Sequence, residues 1–341
     1  MRKLLSTLSL ALTLGLSSTA QASLQQLSNL FVFGDSLSDG GNSGLLTQAA
    51  TGGAITFPPA PYAGGRYSNG PVAVEQLWQR YNPGDTSFRP SLAGGTNYAI
   101  GGSTSGLESY NSINPNTGAL APAFQQKGNA WQLATFAAQQ PVFDPATSLF
   151  VVWLFPNDVF SWSQTGQLPG TATGAPGVPG NLNQLIGNGI NNIITTVTTL
   201  AAYGGRHFLV PNMPDISLTP AFSGNADLSM LSHAFDANLA LALSGLQALI
   251  PSIEIVQFDT NAAYAEVIAN KASYGLTDVS TACLSSPTCD PNTWLFWDGV
   301  HPTAKGHEIL AAKFKAAIPE PSSIVLLAVA LFTFGAARRQ R

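Results

Sequence analysis

Apolar runs of strand length recur along the chain, each leading into turn residues or a helix-like stretch: Leu30 to Phe33, Leu149 to Leu154, His207 to Val210 and Ile253 to Phe258. Between and after them the spacing predicts helices over Val72 to Tyr81, Leu182 to Tyr203, Asp227 to Ile250, Ala262 to Ala272 and Thr303 to Ile318. The second is the clearest. Leu182, Leu185, Ile186, Ile190, Ile193, Ile194, Val197 and Leu200 keep the three-and-four rhythm of one buried face, and Gly204-Gly205 ends it. Strands alternating with helices predict an α/β fold, a parallel sheet covered on both faces.

Three stretches break the rhythm. Ser43 to Gly70 and Ser103 to Ala130, rich in Gly, Ser, Asn and Pro, read as functional loops. Gln164 to Gly180, nearly all Gly, Pro, Thr and Ala, reads as a mobile surface loop. No repeat of fixed period appears.

Composition narrows the class. With 341 residues, 45% of them hydrophobic and 9% charged, the chain can bury a large core. The net charge is -4, and Lys and Arg form no run away from the two ends, which excludes a nucleic-acid surface. Small molecules or neutral polymers are the expected partners.

Both ends read as processing signals. Arg2 and Lys3 precede the apolar run Leu4 to Leu16, and Ala20-Gln21-Ala22 has the small-x-small pattern of a cleavage site, so residues 1–22 are expected to be a signal peptide. At the other end Pro319-Glu320-Pro321 is followed by the uncharged stretch Ile324 to Ala337 and by Arg338-Arg339-Gln340-Arg341. That order resembles the PEP-CTERM sorting signal of Gram-negative bacteria. It implies transient inner-membrane association, cutting by an exosortase near Pro-Glu-Pro, and an extracellular or cell-surface product. One domain, residues 23–318, is expected between the signals, and residues 319–341 form the sorting segment. An ordinary tail anchor is the alternative. Cys283 and Cys289 are the only cysteines, and in an exported protein a disulfide closing this short loop is the expectation.

A serine becomes a nucleophile only beside a base that is itself oriented. Ser36 follows the first strand in Gly34-Asp35-Ser36-Leu37. Among the four histidines, His301 stands three residues after Asp298 and just before a helix that Thr303 can cap. This spacing lets the carboxylate turn back onto Nδ1 and leaves Nε2 outward as a base. Read alone, the pair is an ordinary loop-and-cap arrangement. Read together, Gly34-Asp35-Ser36-Leu37 and Asp298-Gly299-Val300-His301 resemble the first and last blocks of the GDSL, or SGNH, hydrolase family. Asn97-Tyr98-Ala99-Ile100-Gly101-Gly102-Ser103-Thr104 resembles its glycine block and Pro156-Asn157-Asp158 its Asn block. Gly65-Arg66-Tyr67-Ser68-Asn69-Gly70 is similar to a segment of the larger GDSL lipases. Two positions depart from the pattern: Phe155 occupies the glycine position of the Asn block, and Gly40 stands where many relatives carry Thr.

The resemblance implies a three-layer α/β/α sandwich with a flavodoxin-like parallel sheet, the SGNH hydrolase fold, and a site at the C-terminal ends of its strands. It implies Ser36 as nucleophile, His301 as general base and Asp298 as its orienter. The oxyanion hole would be the Ser36 N–H, the N–H of Gly102 or alternatively Gly101, and the Asn157 amide. Asp35 and Asn42 would order the turn around Ser36, and Asp158 would hold its own loop. No metal or organic cofactor is implied. The α/β-hydrolase alternative requires a Gly-x-Ser-x-Gly elbow, which no serine here provides. Phe155, Phe160, Trp162, Trp294 and Trp297 are candidates for lining an acyl pocket. The expected activity is that of an exported esterase or lipase on a small-molecule, lipid or acylated glycan ester. An acyltransferase, a polysaccharide deacetylase and a non-catalytic matrix-binding protein are the alternatives.

Overall fold

The structure is a computed structural model that describes residue 24 and residues 26–319. The expected signal peptide (residues 1–22) and nearly all of the sorting segment lie outside these residues. Residues 26–318 form one unit.

Three almost continuously apolar segments and a more mixed fourth become parallel neighbours: β1 (Asn29–Gly34), β2 (Ser148–Trp153), β3 (His207–Pro211) and, at the edge, β4 (Glu254–Phe258). Leu30 stands opposite Leu149, Leu149 opposite His207, and Phe208 opposite Ile255. Runs without polar alternation are what a parallel sheet needs, because helices cover both of its faces. Residues 96–100 extend the sheet past β1: Asn97 bridges Val32 in parallel, and the Tyr98 N–H donates to Val32 O at 2.8 Å. Counted with this segment, the spatial order in chain numbering is 2-1-3-4-5, the flavodoxin-like order expected from sequence.

The helices are α1 (Asn42–Ala50), α2 (Ala73–Tyr81), α3 (Asn129–Gln139), α4 (Pro156–Thr165), α5 (Leu182–Ala202), α6 (Ala226–Leu249), α7 (Thr260–Ala269) and α8 (Ala304–Ala317). On one face of the sheet Phe31, Phe33, Phe150, Val152, Phe208 and Val210 share a core with Phe136 of α3, Ile193 of α5 and Phe235 of α6. On the other face Trp153 and Phe258 both meet Phe314 of α8, which packs on α2. These are the three layers.

In α5, Leu185, Ile193, Val197 and Leu200 are buried as their spacing predicts. Burial of each is worth about 1.5–3 kcal/mol. That outweighs the roughly 0.5–1 kcal/mol by which each β-branched residue or glycine disfavours a helix. Asn181 and Gln184 bond each other's backbone N–H in a capping box at its start, and Gly204, at φ 109°, turns the chain away at its end.

The structure departs from the sequence reading in several places, among them α3 and α4, where the spacing predicts no helix. The first expected loop contains α1, whose Gly44 lies so close to the Gly65 backbone that a Cβ would stand 3.0 Å from its Cα. The stretch Gln164 to Gly180 is not a loose surface loop. Leu168 N–H donates to Val178 O, Leu107 and Glu108 N–H both donate to Pro169 O, and Asn192 of α5 accepts from Ala172 and donates to Gly170. A second, two-stranded parallel sheet, β5 (Asp278–Ala282) with β6 (Trp294–Phe296), was not anticipated. Cys283 and Cys289 are bonded to each other in its connection, as expected.

Candidate active site

The turn after β1 is built almost entirely from its own polar side chains. Asp35 Oδ1 accepts the Leu37 N–H at 3.0 Å. Asp39 accepts the N–H groups of Gly41, Asn42 and Ser43, the Ser43 hydroxyl and the Gly101 N–H, so one carboxylate starts α1 and ties it to the glycine block. Asn42 donates to the carbonyls of Asn97 and Ala99 at 2.7 and 2.9 Å. The Asn42 side chain thus ties the start of α1 to the neighbouring segment and makes no bond to the turn around Ser36 itself. Gln132 of α3, which the sequence did not flag, bonds both the N–H and the C=O of Gly34 at 2.9 and 2.7 Å. In this frame Ser36 sits at the C-terminal end of β1, 8% exposed.

His301 approaches from the other end of the chain. The Trp297 N–H donates to His301 O at 2.7 Å and Phe296 bridges Pro302, so residues 297–302 close into a tight loop after β6. Thr303 caps α8, as its position suggested, by accepting the Gly306 N–H. Inside the loop Asp298 Oδ1 accepts the Val300 and His301 N–H groups at 2.9 and 2.8 Å, and Oδ2 lies 2.7 Å from His301 Nδ1. His301 Nε2 lies 2.8 Å from Ser36 Oγ.

The electrostatics fit this line of atoms. Burial would raise the Asp298 carboxyl, but the charge of His301 and the bonds it accepts hold it down at about 2. Burial would lower His301, yet the charge and hydrogen bond of Asp298, with the charge of Asp35, raise it above its ordinary value. An ionised Asp298 keeps the proton on Nδ1, which leaves the Nε2 lone pair facing the serine hydroxyl.

The other expected residues converge on the same point. Asn157, in the first turn of α4, donates from Nδ2 to Asp35 Oδ2 at 3.1 Å, so Asp35 orients this amide as well as the turn. Burial pushes Asp35 up to about 6. Asp158 does not hold its own loop as expected: its carboxylate accepts the N–H and hydroxyl of Ser105, tying the start of α4 to the chain after the glycine block, and burial raises it to about 7. The Gly101 N–H is engaged by Asp39 and Ser43, whereas the Ser36 and Gly102 N–H groups donate to no acceptor among the described residues. Gly102, at φ 82°, has Asn111 so close that a Cβ would stand 2.5 Å from its Cγ.

Phe155, in place of the block's glycine, keeps a glycine-like backbone at φ 114°. Its ring stacks on Phe235 at 3.6 Å within the core, and Gly189 of α5 leaves it room. Of the five aromatic residues proposed for an acyl pocket only Phe160 lines the cavity at Ser36. Phe155 is wholly buried, and Trp162, Trp294 and Trp297 do not line it. The cavity, about 740 Å³, is walled instead by Phe57, Pro58, Leu120, Phe160, Ile216 and Phe222, with Tyr62, Tyr110 and Asn111 among its polar members. The segment similar to the larger lipases braces it. Arg66 forks onto Glu75, Ser68 donates to Pro302 O, and the Tyr67 ring lies 5.2 Å from that of His301. Tyr62, unmarked in the sequence, donates to Asp298 Oδ2 at 2.7 Å.

A second cavity, about 780 Å³, opens beyond β3 and β4 between Asp215, Asp236 and Asp259. Among the described residues no group of three or more His, Cys, Asp and Glu could hold a metal ion, and no helix is long and apolar enough to cross a membrane.

Comparison with known proteins agrees with this geometry. A PEP-CTERM protein-sorting motif, a signal that suggests export, matches residues 317–340. The phosphatidylcholine-sterol acyltransferase of Aeromonas hydrophila is 27% identical over 256 residues, 75% of this chain and 65% of that protein. A GDSL esterase/lipase of Arabidopsis thaliana is 25% identical, covering 83% of this chain and 80% of its own length. Esterase EstA of Pseudomonas aeruginosa is 26% identical over 92% of this chain but only 50% of its own. The chain thus spans between half and four fifths of the length of these relatives. The GDSL-like Lipase/Acylhydrolase family model matches residues 30–314, which carry the whole of the site described above, and the chain belongs to that family.

Proposed function

We propose that the chain is an exported serine hydrolase that cleaves carboxylic esters through an acyl-enzyme on Ser36. The observation that carries this reading is the unbroken line from Ser36 Oγ through His301 to Asp298, with bonds of 2.8 and 2.7 Å. His301 takes the hydroxyl proton as Oγ adds to the ester carbonyl, then gives it to the departing alkoxide. Water repeats the sequence to free the acid. Asp298 fixes the ring and stabilises the imidazolium. The negative oxygen of the tetrahedral intermediate is received by the N–H groups of Ser36 and Gly102 and the Asn157 amide, each worth about 3–4 kcal/mol at the transition state. Gly102 is preferred to Gly101 because the Gly101 N–H already serves Asp39 and Ser43.

The mainly apolar cavity suits an acyl chain longer than acetyl on a neutral small-molecule, lipid or glycan ester. The name of the Aeromonas relative favours a second reading, in which an alcohol replaces water as acyl acceptor. We place the hydrolase domain at residues 23–318, between a cleaved signal peptide and a sorting segment at 319–341. That segment would hold the chain briefly in the inner membrane until an exosortase releases it to the cell surface or medium.

The test is turnover of p-nitrophenyl esters of graded chain length by the mature protein and by Ser36→Ala. Hydrolysis by the first alone supports the reading. Equal hydrolysis by both, or none by either, sinks it, and the second outcome favours a non-catalytic binding role.

A further inference from the structure

We propose that Tyr62 is a positioning residue for this reaction: its hydroxyl donates to the same Asp298 oxygen that faces His301 Nδ1, steadying the carboxylate and moderating how strongly the imidazole holds a proton. The inference rests on the serine-hydrolase reading above.

Four donors reach the Asp298 carboxylate. Three belong to its own loop: the N–H groups of Val300 and His301 on Oδ1, and His301 Nδ1 on Oδ2. The fourth, Tyr62, comes from 236 residues away and alone ties the carboxylate to another part of the fold. The Tyr62 ring also stands edge-on to Trp297 at 6.2 Å. Phe57, Pro58 and Pro59, on the same segment as Tyr62, line the cavity beside Ser36. One stretch of chain therefore forms part of the ester-facing wall and grips the residue that orients the base.

The chemical consequence has a definite sign. A hydroxyl that shares Oδ2 with the imidazole takes up part of the carboxylate's charge. That charge is what stabilises protonated His301, so removing the hydroxyl makes His301 more basic. Burial, followed by the charge of Asp298, raises the Tyr62 phenol well above its ordinary value, so it remains a donor across the working range. The other groups facing His301 are Asp35 from the turn after β1, Tyr67 from the same segment as Tyr62, and His307 from α8. The Tyr67 hydroxyl is already committed to Asn111 and Ser43. None of these hydrogen-bonds the Tyr62 hydroxyl, whose one bond goes to Asp298.

The test is the pH profile of kcat/KM for Tyr62→Phe, which keeps the ring against Trp297 and removes only the hydroxyl. The acid limb should move to higher pH by about half a unit. On the plateau kcat should fall by up to about tenfold, with KM changed by less than roughly twofold. The limb position does not depend on how much of the variant folds, so partial instability cannot imitate the shift. A limb that stays in place or moves to lower pH overturns the proposal, whatever happens to the rate. Ser36→Ala, assayed alongside, separates the two claims. If it is inactive while the Tyr62→Phe limb is unmoved, only the role of Tyr62 falls. If it retains full turnover, the serine-hydrolase reading fails and this inference with it.

Discussion

Phe155 and Gly189 form a pair whose coupling can be worked out from the structure. Replacing Phe155 with glycine removes a fully buried ring stacked on Phe235. Loss of such a side chain costs about 3–5 kcal/mol, and the added freedom of a glycine in the unfolded chain about 0.5–1 kcal/mol more. Against this, glycine relieves the backbone at φ 114°, where a side chain costs about 1–2 kcal/mol. The net expectation is a destabilisation of about 3 kcal/mol. Gly189→Ala in the native protein would set a Cβ 2.3 Å from the Phe155 ring. Overpacking of that kind costs about 1–3 kcal/mol and exceeds the roughly 1 kcal/mol gained from alanine in a helix. Once Phe155 is gone the collision is gone, and the same Gly189→Ala change should stabilise by about 1 kcal/mol. The two substitutions should therefore couple by about 2 kcal/mol. Guanidinium unfolding of the native protein, the two single variants and the double variant measures this directly. Effects that add to within about 0.5 kcal/mol would refute the claim that Gly189 exists to admit the Phe155 ring.

The remaining predictions concern the site and its surroundings. Asn157→Ala should lower kcat by about 100-fold or more with little change in KM, because the amide meets charge that develops only in the transition state; steady-state kinetics on a p-nitrophenyl ester checks this. Activity and stability should slope in opposite directions near neutrality. Activity should rise as His301 loses its proton above its ordinary range. Stability should fall over the same pH range, because Asp35, Asp158 and Asp236, at about 6, 7 and 8, bind protons more tightly folded than unfolded. Buried His307, lowered to about 3, opposes them with a single proton, and Asp298, at about 2, removes stability as the pH drops below about 4. Melting temperature should accordingly peak near pH 4 to 5 and decline towards pH 8. Replacing Cys283 and Cys289 by serine opens a loop of sequence separation 6 and should cost about 2 kcal/mol in denaturant unfolding.

The four main strands were legible because each is a short and mostly apolar run, α2 and α5 because their apolar residues fall on one face, and α6, α7 and α8 because they are stretches of helix length rich in Ala and other helix formers. The chain hid α1, α3 and α4 for different reasons. Gly44 and polar neighbours blur the stripe in α1. Residues Ala130 to Gln139 of α3 are mixed in character. The start of α4 coincides with Pro156-Asn157-Asp158, which reads first as chemistry. β5 is mostly polar and partly exposed, and β6, though apolar and largely buried, is only three residues long. At the site, Ser36, Asp298 and His301 were legible because each lies in a local motif, and Asn157 was found despite its departure at Phe155. The groups that hold them were not. Gln132 serves Gly34 across 98 residues, and Tyr62 serves Asp298 across 236. A glutamine or tyrosine used that way has no local signature, because its partner is fixed only by the packing of the layers. The acyl-pocket reading failed at Phe155 for the same reason: one-dimensional nearness to Asn157 does not distinguish a ring turned into the core from one turned into the cavity.

Covalent capture of Ser36 tests the account most directly. The mature protein would be incubated with a fluorophosphonate ester, digested and mapped by mass spectrometry, beside His301→Ala and Ser36→Ala. A single adduct is expected on the peptide containing Ser36, formed far more slowly when His301 is replaced and absent when Ser36 is replaced. An adduct on another residue with Ser36 unmodified, or ester turnover that survives in Ser36→Ala, would contradict it.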